Sequence, residues 1–190
     1  MKGMGLYMQL VFFRNRTAAL AICCLLLASL LLQCQNAPAA EKFKPFKLKT
    51  LDGTKKTLQD FANKVVLVGF YYPTCAYCNL AAPEVQKIFD KYKDQGLSVV
   101  IINVVPEEIK LIPGWQEKHH FAIPVLIGAS KEDLMDDYNL TITPTHYLLG
   151  TKGEVLLRQN GYNRGDEKIL EQKIAEALNI ALDPAIPAKP

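Results

Sequence analysis

The sequence predicts an α/β fold, a sandwich in which helices flank a central mixed β-sheet, preceded by an N-terminal β-hairpin. Three observations carry this reading. Two continuous apolar, β-branched runs, residues 65–71 and 97–105, have the character of strands buried on both faces. Between them, residues 79–93 set Val85, Ile88, Phe89 and Tyr92 at helical spacing. Further on, residues 145–149 and 154–159 are two shorter strands around the Lys152-Gly153 turn. Strand, helix, strand and helix, followed by a hairpin and a last helix, place both kinds of pairing in one sheet.

Each element follows from its residues. The chain opens with Lys2, Arg14 and Arg16 and no acid in its first 40 residues, around an uncharged run at 18–32. A basic start, an apolar stretch of this length and small residues after it describe an export signal. The run is short for a spanning helix, which needs about 20 apolar residues. Three endings compete: cleavage at Ala37-Pro38-Ala39, lipidation of Cys34 in Leu31-Leu32-Gln33-Cys34, and an uncleaved anchor. Cys23 and Cys24 read as small apolar residues of the leader. The domain reading is residues 1–34 as signal peptide or membrane or lipoprotein anchor, 35–44 as tether, 45–180 as the folded domain, and the proline- and alanine-rich 181–190 as a disordered tail.

Within the domain, residues 46–51 and 55–58 flank Asp52-Gly53, a strong hairpin signal. Gly96 ends the first helix. Residues 113–120 form a short helix opened by proline, 125–127 a short strand, and Ser130 with Asp133 a capping box that starts another helix. Residues 166–178 form the last helix, with Leu170, Ile174 and Leu178 in line. The 190 residues are 49% hydrophobic and 22% charged, which suits one ordinary globular domain and excludes a disordered chain. From Glu41 onward 19 basic and 19 acidic residues balance. A neutral body with no basic stripe argues against a nucleic-acid partner.

The chemistry sits in Phe70-Tyr-Tyr-Pro-Thr-Cys75-Ala-Tyr-Cys78, where a buried strand gives way to a helix. A cysteine at a helix N-terminus meets unpaired N–H groups and the positive end of the dipole, so its thiol ionises more easily. The spacing lets the second sulfur close a disulfide on the first. Cys75 is then the nucleophile, Cys78 the buried resolving thiol, and electrons pass through a mixed disulfide on Cys75. Two blander readings compete. Zinc usually takes four protein ligands, and neither a second cysteine pair nor the spacing of His119, His120 and His146 supplies them, so no metal is assigned. A static disulfide over so short a loop removes little chain entropy.

These residues resemble the thioredoxin fold, and within it the exported TlpA/ResA-like branch of thiol–disulfide oxidoreductases, related to the AhpC/TSA proteins. The resemblance rests on Cys75-x-x-Cys78 at the strand-to-helix junction and on Thr143-Pro144-Thr145 just before a strand. The 46–61 hairpin, Pro83 five residues after Cys78, and a central insertion between residues 105 and 144 add to it. It covers about residues 43–178. It implies a cis-proline at Pro144 packed beside Cys75, and a Thr143 backbone that meets the bound client. It implies no cofactor beyond the redox-active disulfide, protein thiol or disulfide clients, a membrane electron donor, and a place in the bacterial cell envelope on a membrane tether.

The departures matter. Thr74 stands where many of these proteins have tryptophan, and Ala81 where many have glutamate. Gly69 stands where thioredoxin has a buried aspartate. The usual acid beside the resolving thiol is therefore missing; Glu107, Glu108 and His146 are the candidates to replace it, against the blander reading of a solvated loop and a strand residue. Tyr72 and Tyr77 offer a substrate platform, and Tyr71 either joins them or belongs to the core. The function this implies is disulfide reduction in the envelope, for example in cytochrome c maturation. The alternatives are a thiol peroxidase of the peroxiredoxin type, whose cysteine stands three after a threonine, and a copper carrier using two cysteines and His146.

Overall fold

A computed structural model describes residues 41–180. The leader, Cys34, most of the 35–44 stretch and the 181–190 tail lie outside the described residues. The strands are β1 (Lys47–Lys49), β2 (Lys55–Thr57), β3 (Val65–Tyr71), β4 (Leu97–Asn103), β5 (Val125–Leu126), β6 (Thr145–Leu149) and β7 (Val155–Asn160). The helices are α1 (Ala76–Tyr92), α2 (Ile112–Lys118), α3 (Lys131–Asp137) and α4 (Asp166–Ala177).

The sheet is mixed, in the order β5-β4-β3-β6-β7. β3 pairs parallel to β4 and antiparallel to β6, and β6 pairs antiparallel to β7. The central strand β3 is buried along its whole length. Its alternate residues feed two cores. Val65, Leu67 and Tyr71 join α1, α2 and α4 on one face. Val66, Val68 and Phe70 join Leu134 of α3 and Phe43, Phe46 and Leu48 of the N-terminal segment on the other. Each fully buried Val, Leu, Ile or Phe contributes roughly 1.5–3 kcal/mol. A disulfide spanning three positions contributes at most about 2 kcal/mol by loop closure. Hydrophobic burial, not the disulfide, holds the fold.

β1 and β2 form the N-terminal hairpin, and Lys49 bridges to Ile127 beyond the end of β5. The chain packs earlier than a tether reading of residues 35–44 suggests. Phe43 is only 5% exposed, stacks on Tyr138 at 4.9 Å, and meets the edge of Tyr147 at 5.2 Å. Its backbone N–H donates to Gly153 O at 3.2 Å.

Several boundaries move; the first hairpin strand and α2, for example, each end two residues early, at Lys49 and Lys118. β4 stops at Asn103, two residues short of the expected end, where its partner β3 also ends: Val104 N–H makes the last ladder bond to Tyr71 O, and the Asn103 amide reaches Val105 O. α1 starts at Ala76 rather than 79, with Cys75 as its cap. Short 3-10 helices at Leu58–Phe61 and Pro106–Leu111 have no periodic signature in the sequence. Ser130 caps α3 by accepting from Asp133 N–H at 3.1 Å. Among the described residues no helix is long and apolar enough to cross a membrane.

Candidate active site

Cys75 and Cys78 sit where β3 ends and α1 begins, joined by a disulfide with a Cα–Cα distance of 5.1 Å. Cys75 is the N-cap of α1. Its sulfur accepts from Cys78 N–H at 3.1 Å, and its carbonyl from Asn79 N–H at 3.0 Å. The same N–H that would be unpaired at a helix start is therefore aimed at the sulfur, where it favours negative charge. Cys75 is 5% exposed and Cys78 0%.

The loop before Cys75 is held from two sides. Cys75 N–H donates to Tyr72 O at 3.2 Å. Glu108, on the 3-10 turn after β4, accepts from Thr74 N–H at 2.9 Å and Thr74 Oγ1 at 2.6 Å. Glu107 is exposed. Of the two acids, only Glu108 has a structural task, and it acts on the backbone beside Cys75.

Across from the cysteines, the Thr143–Pro144 peptide is cis. Thr143 Oγ1 lies 3.6 Å from Cys75 Sγ, and Pro144 is buried behind it. Two bonds fix this turn: Thr145 Oγ1 donates to Ile142 O at 2.7 Å, and Gly161 N–H donates to Pro144 O at 2.7 Å. A groove of about 720 Å³ runs beside Cys75, lined by Tyr72, Tyr77, Val104, Met135, Ile142 and Thr143, with Lys131 among its walls. Tyr77 and Ile142 are 55% and 50% exposed, unusual for residues of their size. Tyr72, Tyr77 and Thr143 thus come together with Cys75. Tyr71 does not join them: it is 1% exposed and belongs to the core.

His146 is also core. It is 1% exposed, its Nε2 lies 2.7 Å from the Tyr71 hydroxyl, and its Nδ1 has no partner. Burial pushes its pKa down to about 4 and raises that of Tyr71 well above the usual tyrosine value. Both groups are neutral at pH 7. Among the described residues no group of three or more His, Cys, Asp or Glu could hold a metal ion. The α3 side of the groove, with Lys131 and Met135, was not legible in the sequence. Those residues lie more than 50 positions from Cys75, and no local pattern marks them as neighbours.

A dithiol at a helix N-terminus, beneath a cis-proline turn and beside an open groove, defines a thioredoxin-fold thiol–disulfide oxidoreductase. The chain belongs to the Redoxin family, whose model matches residues 38–174. It is 33% identical over 131 residues to the thioredoxin-like protein YneN of Bacillus subtilis, covering 68% of this chain and 74% of that one. To the thiol-disulfide oxidoreductase ResA of Halalkalibacterium halodurans it is 25% identical over 125 residues, covering 66% and 70%. Among solved structures, a thiol:disulfide interchange protein described as DsbE, from Chlorobium tepidum, superposes with a TM-score of 0.67 at 26% identity, covering 73% of this chain and 96% of that one.

Proposed function

We propose that this oxidoreductase works outside the cytoplasm as a reductant of protein disulfides, held near a membrane and recharged by a membrane electron donor. The single observation that carries the site assignment is the asymmetry of the pair. Cys75 abuts the groove and Thr143, whereas Cys78 has no exposure at all. The Cys75 thiolate attacks one sulfur of the client disulfide, and the other client sulfur leaves as a thiolate and takes a proton. Cys78 then loses its proton and attacks Cys75 Sγ. The second client sulfur leaves, takes a proton, and the Cys75–Cys78 disulfide is restored. Two electrons have moved from the pair to the client. No cofactor beyond the disulfide enters these steps.

The client lies along the groove with its apolar side chains on Tyr72, Tyr77 and Ile142, and its backbone against Thr143 beside Pro144. Cysteine pairs of apocytochromes c are the client class we favour. The leader supports export, and Cys34 is the candidate attachment point. The reduction potential of the Cys75–Cys78 pair tests the direction of electron flow. A value near or below about −270 mV supports the reductant, and one near −120 mV identifies an oxidant. Cys75→Ser abolishes disulfide reduction, and Cys78→Ser accumulates a mixed disulfide with the client. A Cys75→Ser protein that still reduces disulfides refutes the assignment.

A further inference from the structure

Cys78 has to give up a proton to attack the mixed disulfide, and it does so in a place that water does not reach. Among the described residues, the buried polar side chains are Gln86, Asn103, Thr145 and His146, with no carboxylate. The titratable candidates are therefore His146 and the tyrosines of the buried cluster that holds Cys78.

Tyr71 is one of those tyrosines, in the same cluster as Cys75 and Cys78. Its ring covers Gly69. A Cβ at position 69 would lie 2.8 Å from Tyr71 Cε2 and 2.6 Å from Ile101 Cδ1, so the volume a side chain at 69 would take is already filled. His146 is the cross-strand partner of Gly69 on β6, and its Nε2 meets the Tyr71 hydroxyl at 2.7 Å. The pair shares its protons in one of two ways. Either the phenol donates to Nε2 and Nδ1 carries an unpaired N–H, or Nε2–H donates to the phenol oxygen, leaving Nδ1 a bare acceptor and the phenol proton free. The first leaves one buried valence unmet and the second two, and either arrangement is costly.

We propose that the Tyr71–His146 pair is the proton holder for Cys78: it accepts the Cys78 thiol proton as that sulfur attacks Cys75 Sγ. The proton then passes to the departing client thiolate, and the pair ends the cycle unchanged. Burial keeps the imidazole neutral at pH 7 and makes it a weaker base than a free imidazole, so the pair holds the Cys78 proton only in passing. The groups around the pair are few. α1 brings Cys75 and Cys78, members of the same buried cluster as Tyr71. The loop before α4 brings Tyr162, whose hydroxyl donates to Glu167 at 2.8 Å and which also feels Glu84 of α1. α2 brings Trp115, 6.3 Å from Tyr71, with His119 behind it. This inference rests on the dithiol mechanism above.

The test uses the full-length chain in detergent, with Cys23, Cys24 and Cys34 changed to serine, reduced and mixed with dithiobis(nitrobenzoate). Attack by Cys75 releases one thionitrobenzoate, and attack by Cys78 on the resulting mixed disulfide releases the second. Tyr71→Phe and His146→Gln are expected to slow the second release at least about tenfold at pH 7 while leaving the first unchanged. The deficit should close as pH rises and hydroxide deprotonates Cys78 directly. Wild-type rates for both releases at every pH overturn the proposal. So does loss of both phases together with altered Trp115 fluorescence, which marks a packing role. A wild-type chain with no second release refutes the dithiol mechanism itself.

Discussion

Glu108→Ala removes one acceptor from two donors, Thr74 N–H at 2.9 Å and Thr74 Oγ1 at 2.6 Å. Hydrogen bonds to a charged group are worth roughly 1.5–3 kcal/mol each when buried. Here Thr74 is exposed and Glu108 half-buried, so water replaces much of what is lost. The net cost is about 1–2 kcal/mol for the pair, or a fall in Tm of ~2–8 °C for a domain of this size. Thr74 is the residue before Cys75, so freeing it also frees the nucleophile's approach to the client. A loss of about 1 kcal/mol in positioning is a roughly fivefold slower client reduction. The assay pairs thermal unfolding with the rate of insulin disulfide reduction. Glu108→Gln keeps one acceptor oxygen and should fall between wild type and Glu108→Ala. If Glu108→Ala matches wild type in both Tm and rate, the Thr74–Glu108 clamp has no part in positioning Cys75.

Two further outcomes follow from burial. Phe43→Ala removes a ring that stacks on Tyr138 and meets Tyr147, and should cost about 3 kcal/mol in chemical denaturation. Disulfide exchange should be unaffected, because Phe43 packs on the sheet face opposite Cys78; a cost under about 1 kcal/mol would make residues 41–44 a tether after all. His146, with its folded pKa depressed by burial to about 4, stays neutral where the unfolded chain is already protonated. Its contribution is therefore fully present above about pH 6.5 and is lost as pH falls toward 4, on the order of 3 kcal/mol in all. Denaturation curves at pH 7 and pH 4.5 should show a steeper loss for wild type than for His146→Gln, and equal slopes would count against a buried neutral imidazole.

The elements that could be read ahead of the structure are those whose signal is local. β3 announces itself because seven consecutive apolar residues suit only a strand covered on both sides, and α1 because Val85, Ile88 and Tyr92 repeat at helical spacing. Cys75 and Cys78 carry their chemistry in their own spacing. The start of α1 was misplaced because a cysteine sulfur, rather than Ser, Thr, Asp or Asn, caps it. Glu108 stood in the sequence as one of two adjacent acids, and nothing local distinguishes it from exposed Glu107. The direction of its side chain was set by a 3-10 turn that has no periodic pattern. Tyr71 was ambiguous for a similar reason. The alternation along β3 faces it away from Phe70, but which face borders the groove depends on where Thr143 arrives, 68 residues after Cys75.

The class of fold and the Cys75–Cys78 pair were legible in the sequence, because hydrophobic period and the Cys-x-x-Cys spacing act within a few residues. Only the tertiary structure decided what surrounds that pair. It brought the Thr143–Pro144 turn within 3.6 Å of Cys75, tied Thr74 to Glu108, and opened the groove between Tyr77 and Ile142. It also placed His146 on Tyr71 above the glycine that leaves them room. These neighbours come from strands and turns far apart in the chain, and they meet only because sheet register and core packing put them there.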